Sequence, residues 1–172
     1  RDSHIIYENG AIEHFPEYLN IERGNFPNFD FVRALREQLS QDDGSVFRYA
    51  THENTILNHI LIQLQNVDDV EDKQELIDFI KSITHVKKGR KGERDMIDLL
   101  EVVKKHYWHP IMRGSNSLKV VLPSILNSSN YIKDKYSYPI YGLNSEIKSQ
   151  NYDDGWTVSY THLRAHETKA NL

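Results

Sequence analysis

A glutamate at the junction of two elements is the residue of this sequence best placed for chemistry. Glu53 follows the β-prone run Ser45-Val-Phe-Arg-Tyr-Ala50 and falls in the first turn of a helix that starts near Thr51 or His52. A strand that feeds straight into a helix sets that turn at the carboxyl edge of the sheet, where open α/β folds keep their sites. The Glu53 carboxylate can therefore point over the edge; its plainer role is to complement the positive end of the helix. Asp95 and Asp98 lie one turn apart further on, where each serves a helix start or faces Lys104 or Lys105. Two cationic groups suit phosphates. The first is Lys87, Lys88, Arg90, Lys91 and Arg94, flexible side chains that release counterions on binding a polyanion, or else a solvated loop. The second is Arg113, Ser115, Asn116, Ser117 and Lys119 around a helix N-terminus, a phosphate cradle or simply a cap. His106 and His109 flank Trp108 at a spacing that permits one metal ion, but no third ligand lies nearby and packing is the expected role. Tyr131, Tyr136, Tyr138 and Tyr141 either stack on bases or cover a sheet edge. There is no Gly-rich nucleotide loop, no G-x-S-x-G elbow and no H-E-x-x-H.

The elements that must position these residues follow from periodicity and turn chemistry. Residues 4–19 hold two β-prone runs around Asn9-Gly10, a two-residue hairpin signal, and residues 20–26 read as a loop. Asn28 can cap a helix whose shared face is Phe31, Val32, Leu35 and Leu39, ending before Asp42-Asp43-Gly44. Residues 45–50 read as a buried strand, and the helix after it buries Ile56, Leu57, Ile60, Leu61 and Leu64. A third helix spans 68–83, acidic at its start and apolar at Leu76, Ile77, Ile80 and Ile83, and runs into a flexible basic loop over 85–94. Met96, Leu99, Leu100, Val103 and Tyr107 then recur at helical spacing, so one face of a helix there should be buried. Pro110 and Gly114 break it, Ser115 or Ser117 starts a short helix that Pro123 disturbs, and the Tyr-rich stretch 131–141 reads as extended or irregular.

The string Asp98-Leu-Leu-Glu-Val-Val-Lys-Lys-His-Tyr-Trp-His-Pro, followed by Gly114-Ser-Asn-Ser-Leu-Lys-Val-Val-Leu-Pro, resembles a bacterial family called domain of unknown function 2779, over roughly residues 4–157. That family in turn resembles the ribonuclease-H-like superfamily of DEDD 3'-5' exonucleases, which use clustered carboxylates and two divalent metals to cleave phosphodiesters. The resemblance implies an α/β fold, a ribonuclease-H-like mixed sheet covered by helices, truncated so that its first strand and last helix are missing. It implies that Glu53 is the second acidic motif, a catalytic metal ligand, with His52 where an apolar or aromatic residue is usual. Asp98 resembles an acid that supports such a site from its rim. The first motif would lie upstream of His4 and the last beyond Thr157. Two-metal catalysis needs several carboxylates around cations roughly 4 Å apart. The resemblance thus implies Mg2+ or Mn2+ in an intact parent, no tight metal binding by this chain, and no activity of its own. A non-catalytic nucleic-acid- or protein-binding module, and a spacer between other domains of the parent, are the alternatives.

Composition bounds these readings. The 172 residues, 38% hydrophobic and 10% aromatic, suit one domain with a core. A net charge of −4 gives no whole-molecule attraction to a polyanion, so nucleic acid would need a local basic patch or bound cations. No run is apolar enough to span a bilayer and no signal segment opens the chain, which predicts a cytoplasmic protein without a membrane partner. Zero cysteines exclude disulfides, thiolate zinc sites and a cysteine nucleophile. Residues 158–172, from Val158-Ser-Tyr-Thr-His-Leu-Arg-Ala-His-Glu-Thr, resemble a translated sequencing adapter, as does Arg1-Asp2-Ser3. The expectation is a fragment of a longer gene, natural over 4–157, in which His162 and His166 carry no meaning.

Overall fold

Three amphipathic helices supply the core of the first of two units, residues 1–101 and 102–172, into which the chain divides. The structure, a computed structural model, describes residues 4–6, 12–14, 18, 24, 26–86 and 88–137. Helix α1 (Asn28–Leu39) gives Val32, α2 (His52–Gln65) gives Leu57, Ile60, Leu61 and Leu64, and α3 (Lys73–Ile83) gives Leu76, Ile77, Ile80 and Ile83. These i, i+3, i+4 and i+7 stripes meet with Met96 in one buried cluster, each large side chain contributing roughly 1.5–3 kcal/mol. Ile56 falls just outside the α2 stripe and is exposed, against expectation. Asn28 is not the cap of α1, because Pro27 before it already has helical angles (φ −81°, ψ −7°). Its amide instead donates to Gln63 Oε1 at 2.8 Å, tying α1 to α2. Helix α3 starts at Lys73 and not at Asp68. The acid-rich run before it forms turns, and Asp72 accepts from Arg33 Nε at 2.8 Å and from Arg33 Nη2 at 2.6 Å, across to α1.

Strands are few and short. Strands β1 (His4–Ile6) and β2 (Ile12–His14) pair antiparallel, as expected, with His4 opposite His14 and Ile6 opposite Ile12. That register is offset by one residue from a two-residue turn on Asn9-Gly10; the turn itself lies outside the described residues. Strands β3 (Phe47–Arg48) and β4 (Ile97–Asp98) pair parallel, Phe47 opposite Ile97 and Arg48 opposite Asp98, with α2 and α3 in the crossover between them. The architecture is thus mixed α/β, mostly helical, and the two strand pairs are separate among the described residues. Nor is β3 a buried apolar strand: Phe47 is exposed, and the buried residue of the pair is Arg48.

The pairing of β4 with β3 also overturns a helix starting at Asp95. Ile97 and Asp98 are extended, Ile97 N–H donates to Val46 O at 2.8 Å, and α4 runs only from Leu99 to His106. Met96 stays in the core, but α4 itself has no fully buried residue: at the expected buried face Leu100 and Val103 are partly buried and Leu99 is 37% exposed. In the second unit a 3-10 turn (Pro110–Met112) precedes α5 (Leu118–Ser128) and α6 (Asn130–Ser137). Helix α5 continues through Pro123, with Val121, Ser124 and Leu126 buried on either side of it. Tyr107 Oη and Ser124 Oγ lie 3.2 Å apart, a hydrogen bond inside this unit. The start of the Tyr-rich stretch is helical where irregular structure was expected, because Ser129 Oγ accepts from Ile132 N–H at 3.2 Å in the manner of a cap. Tyr138, Tyr141, residues 1–3 and the adapter-like 158–172 lie outside the described residues. No described helix is long and apolar enough to cross a membrane.

Candidate functional site

The chain between β3 and α2 turns through Ala50, whose φ of 68° is in the left-handed region that a side chain disfavours. What holds it there comes from β4. Asp98 Oδ1 accepts from Ala50 N–H at 2.9 Å and from Leu100 N–H at 3.0 Å. Asp98 Oδ2 accepts from Arg48 Nη1 at 2.8 Å, and the same guanidinium donates to Ala50 O. The Arg48 and Asp98 side chains are only 4% and 12% exposed, so the pair acts in a low-dielectric setting, and Arg48 Nε is buried without a hydrogen bond. One carboxylate thereby joins β3, β4, the turn and the start of α4.

Glu53 lies three residues past that turn, half-buried in the first turn of α2, with Oε2 enclosed. A second clamp acts on the same turn of helix. Asn54 Nδ2 donates to His85 O at 3.0 Å while Asn54 Oδ1 accepts from His85 N–H at 3.0 Å. Asn58, one turn on, also donates to His85 O at 3.1 Å. The backbone that carries Glu53 is therefore fixed from β4 on one side and from the 84–95 loop on the other. The His85 ring is oriented in turn, Nδ1 lying 2.9 Å from Asp95 Oδ1.

Of the expected pair, Glu53 keeps its place in the first helical turn after the strand, with Oε2 enclosed, and Asp98 is turned to the junction beside it. Both Asp98 oxygens face protein donors, which makes it a positioning residue for the turn. Among the described residues no group of three or more His, Asp or Glu side chains converges as a metal site would require, and His106 and His109 join none.

The basic loop divides by residue type. Arg90 is folded inward: Nη1 donates to Lys81 O and Thr84 O, and Nη2 to Asn58 Oδ1 at 3.2 Å and Thr84 Oγ1 at 3.0 Å. Arg94 reaches Gly44 O at 2.7 Å, Asp42 Oδ1 at 2.8 Å and Leu39 O. Lys88 and Lys91 remain exposed, while Lys87 lies outside the described residues. The loop is not flexible throughout: His85 bridges Lys91, and Gly92 packs so close to α3 that a Cβ would meet Ser82 O.

Compared with models of protein families, residues 2–117 match the one described as Domain of unknown function (DUF2779), more than half of the chain. The chain belongs to that family. No curated protein and no solved structure matches it. Glu53, Asp98, Arg90 and Arg113 fall within the stretch matched to DUF2779, and Lys119 lies just past it.

In the second unit of this DUF2779 chain, the group around Arg113 to Lys119, expected as a phosphate cradle or a cap, makes no side-chain cap bond to α5. Ser117 is the N-cap residue of α5 but its side chain makes no cap bond, and Ser115 Oγ accepts from Ser117 N–H at 3.3 Å. Arg113, left-handed at φ 49°, and Lys119 are exposed. His109 Nδ1 accepts from Ile111 N–H at 3.3 Å, which explains it as a turn cap. Trp108, expected in core or interface packing, is 74% exposed and so lies outside the core. Arg48 and Asn54 were not singled out from the sequence. A signal for Arg48 existed: a cation inside a β-prone run must find an anion if that run is buried, and Asp95 and Asp98 were the acids waiting at a second element start.

Proposed function

We propose that this chain is the central portion of a metal-dependent, exonuclease-like domain of ribonuclease-H-like type, acting on nucleic acid in the bacterial cytoplasm, and that alone it does not cleave. The carrying observation is the placement of Glu53 in a doubly clamped helical turn at the carboxyl end of a parallel strand pair. That is the location at which α/β sheets assemble sites, and clamping of the supporting backbone is what a pre-organised ligand needs. The described residues do not make a two-cation centre by themselves, since Asp98 is spent on the turn. Mg2+ or Mn2+ would need further carboxylates of an intact parent beside Glu53.

The test is Glu53→Gln in the full-length parent, with cleavage of single-stranded DNA and RNA followed at saturating magnesium or manganese. Gln keeps the volume and removes the charge, so cleavage should fall at least ~100-fold, beyond the ~10- to 100-fold typical of an outer partner, while the fold survives. Cleavage at the parent rate would overturn the reading. A second reading, a non-catalytic nucleic-acid-binding module, draws on the commitment of both Asp98 oxygens and on the exposed Lys88 and Lys91. It predicts a parent that binds single strands and cleaves none.

A further inference from the structure

The chain is net −4, yet residues 102–137 carry six lysines and arginines against a single acid, Asp134. In the midst of this basic stretch Trp108 stands 74% exposed, and Ile111 beside it is 48% exposed. Burying what each still exposes would gain on the order of 1 kcal/mol or more, so their display on the surface asks for a partner. The turn that presents them is not a loose tip. Met112 is 2% exposed and anchors it. Met112 N–H donates to His109 O at 2.9 Å, Arg113 N–H to Pro110 O at 3.2 Å and Ser115 N–H to Met112 O at 2.8 Å. Left-handed angles at Arg113 (φ 49°) and Gly114 (φ 81°) then fold the chain back toward α5. Lys105 precedes the indole by three residues and Arg113 follows it by five, both exposed.

We infer that the Trp108 turn is a stacking platform for single-stranded nucleic acid, one unstacked base lying on the indole while Lys105 and Arg113 meet the flanking phosphates. An exposed aromatic ring on a fixed turn within a basic stretch is the combination that holds single strands, because every base has a π-face and every linkage a charge. A duplex hides its base faces and gains only the electrostatic part. A second copy of this chain is disfavoured as occupant, since two such basic surfaces repel. The platform stands apart from the reading of Glu53, since it requires binding and no cleavage.

The experiment measures fluorescence anisotropy of a labelled oligothymidylate of about 12 nucleotides, within the usual single-strand site size, with the 172-residue chain. A duplex of the same length is the comparison. Trp108→Ala should weaken single-strand binding roughly 5- to 150-fold, leave duplex binding unchanged, and be largely rescued by Trp108→Phe. Lys105→Ser with Arg113→Ser should weaken both ligands and lower the single-strand salt slope by about 1.4. Both sites are exposed, so circular dichroism should show an intact fold. Equal single-strand affinity of Trp108→Ala and parent, or no binding by the parent at low salt, overturns the platform. So does a sedimenting dimer that Trp108→Ala dissolves, which would make the face a self-interface. Capture by phosphatidylserine vesicles that Trp108→Ala abolishes, without any effect on the oligonucleotide, would assign the face to a membrane instead.

Discussion

Replacing Asp98 by Ala removes the one carboxylate that joins β3, β4 and the turn before α2. The Arg48 side chain, 4% exposed, would keep its charge and lose its anion, and breaking a buried pair in this one-sided way costs about 3–5 kcal/mol. The amides of Ala50 and Leu100 lose their acceptor as well. Each would add about 1–3 kcal/mol if left dry, but Asp98 is 12% exposed and water can reach part of the gap. The expected total is therefore about 3–5 kcal/mol, a large share of the ~5–15 kcal/mol that holds a domain folded. Asp98→Asn retains an acceptor for the amides but still takes the anion from Arg48, so it should cost about 3 kcal/mol, at the lower end of the same range. Arg48→Met leaves Asp98 with two amide donors and should cost less than Asp98→Ala, so the double variant should be milder than the sum. Urea unfolding followed by circular dichroism measures the four variants against the parent. A loss under about 1 kcal/mol for Asp98→Ala, the level of an exposed pair, would show that the junction is held by backbone alone.

Arg90→Ala should destabilise by on the order of 1.5–3 kcal/mol, since its guanidinium ties the loop to α2 and α3. Lys88→Ser with Lys91→Ser should leave urea unfolding unchanged and flatten the salt dependence of any nucleic-acid binding, measured by anisotropy. Bidentate bonding to Arg33 holds the Asp72 carboxyl below its ordinary value of 3.8. Its contribution is complete above that value and is lost as pH falls through the depressed folded value, so the urea midpoint should drop below about pH 4, and less steeply in Asp72→Asn. An equal drop in both proteins would remove Asp72 from the acid response.

Helices α1 to α3 were legible from stripes at helical spacing: every apolar residue named for α3 is buried. Their starts were less legible, because capping depends on backbone angles that a neighbour sets, as Pro27 does for Asn28. The position of Glu53 followed from strand-then-helix order, which is local. The role of Asp98 did not, since it depends on a partner 50 residues away, and no periodicity carries that distance. Arginine and lysine look alike in a loop sequence, yet Arg90 and Arg94 turned inward where carbonyls lay within reach of their forked donors. Trp108 stands outside the core because the turn that carries it faces outward, a geometry that no spacing in the sequence encodes.

The parallel pairing of β3 with β4 has a kinetic side. Helices α2 and α3 are neighbours in sequence and can pack early, whereas the strand pair closes across the whole of both. Contacts of such long separation bear more loop-closure entropy and form late. Opening can run the same course in reverse, with β3 and β4 parting while the helical core persists. The turn that carries Glu53 would then be assembled by an equilibrium smaller than global unfolding, and a ligand that binds only its closed form would draw that equilibrium shut.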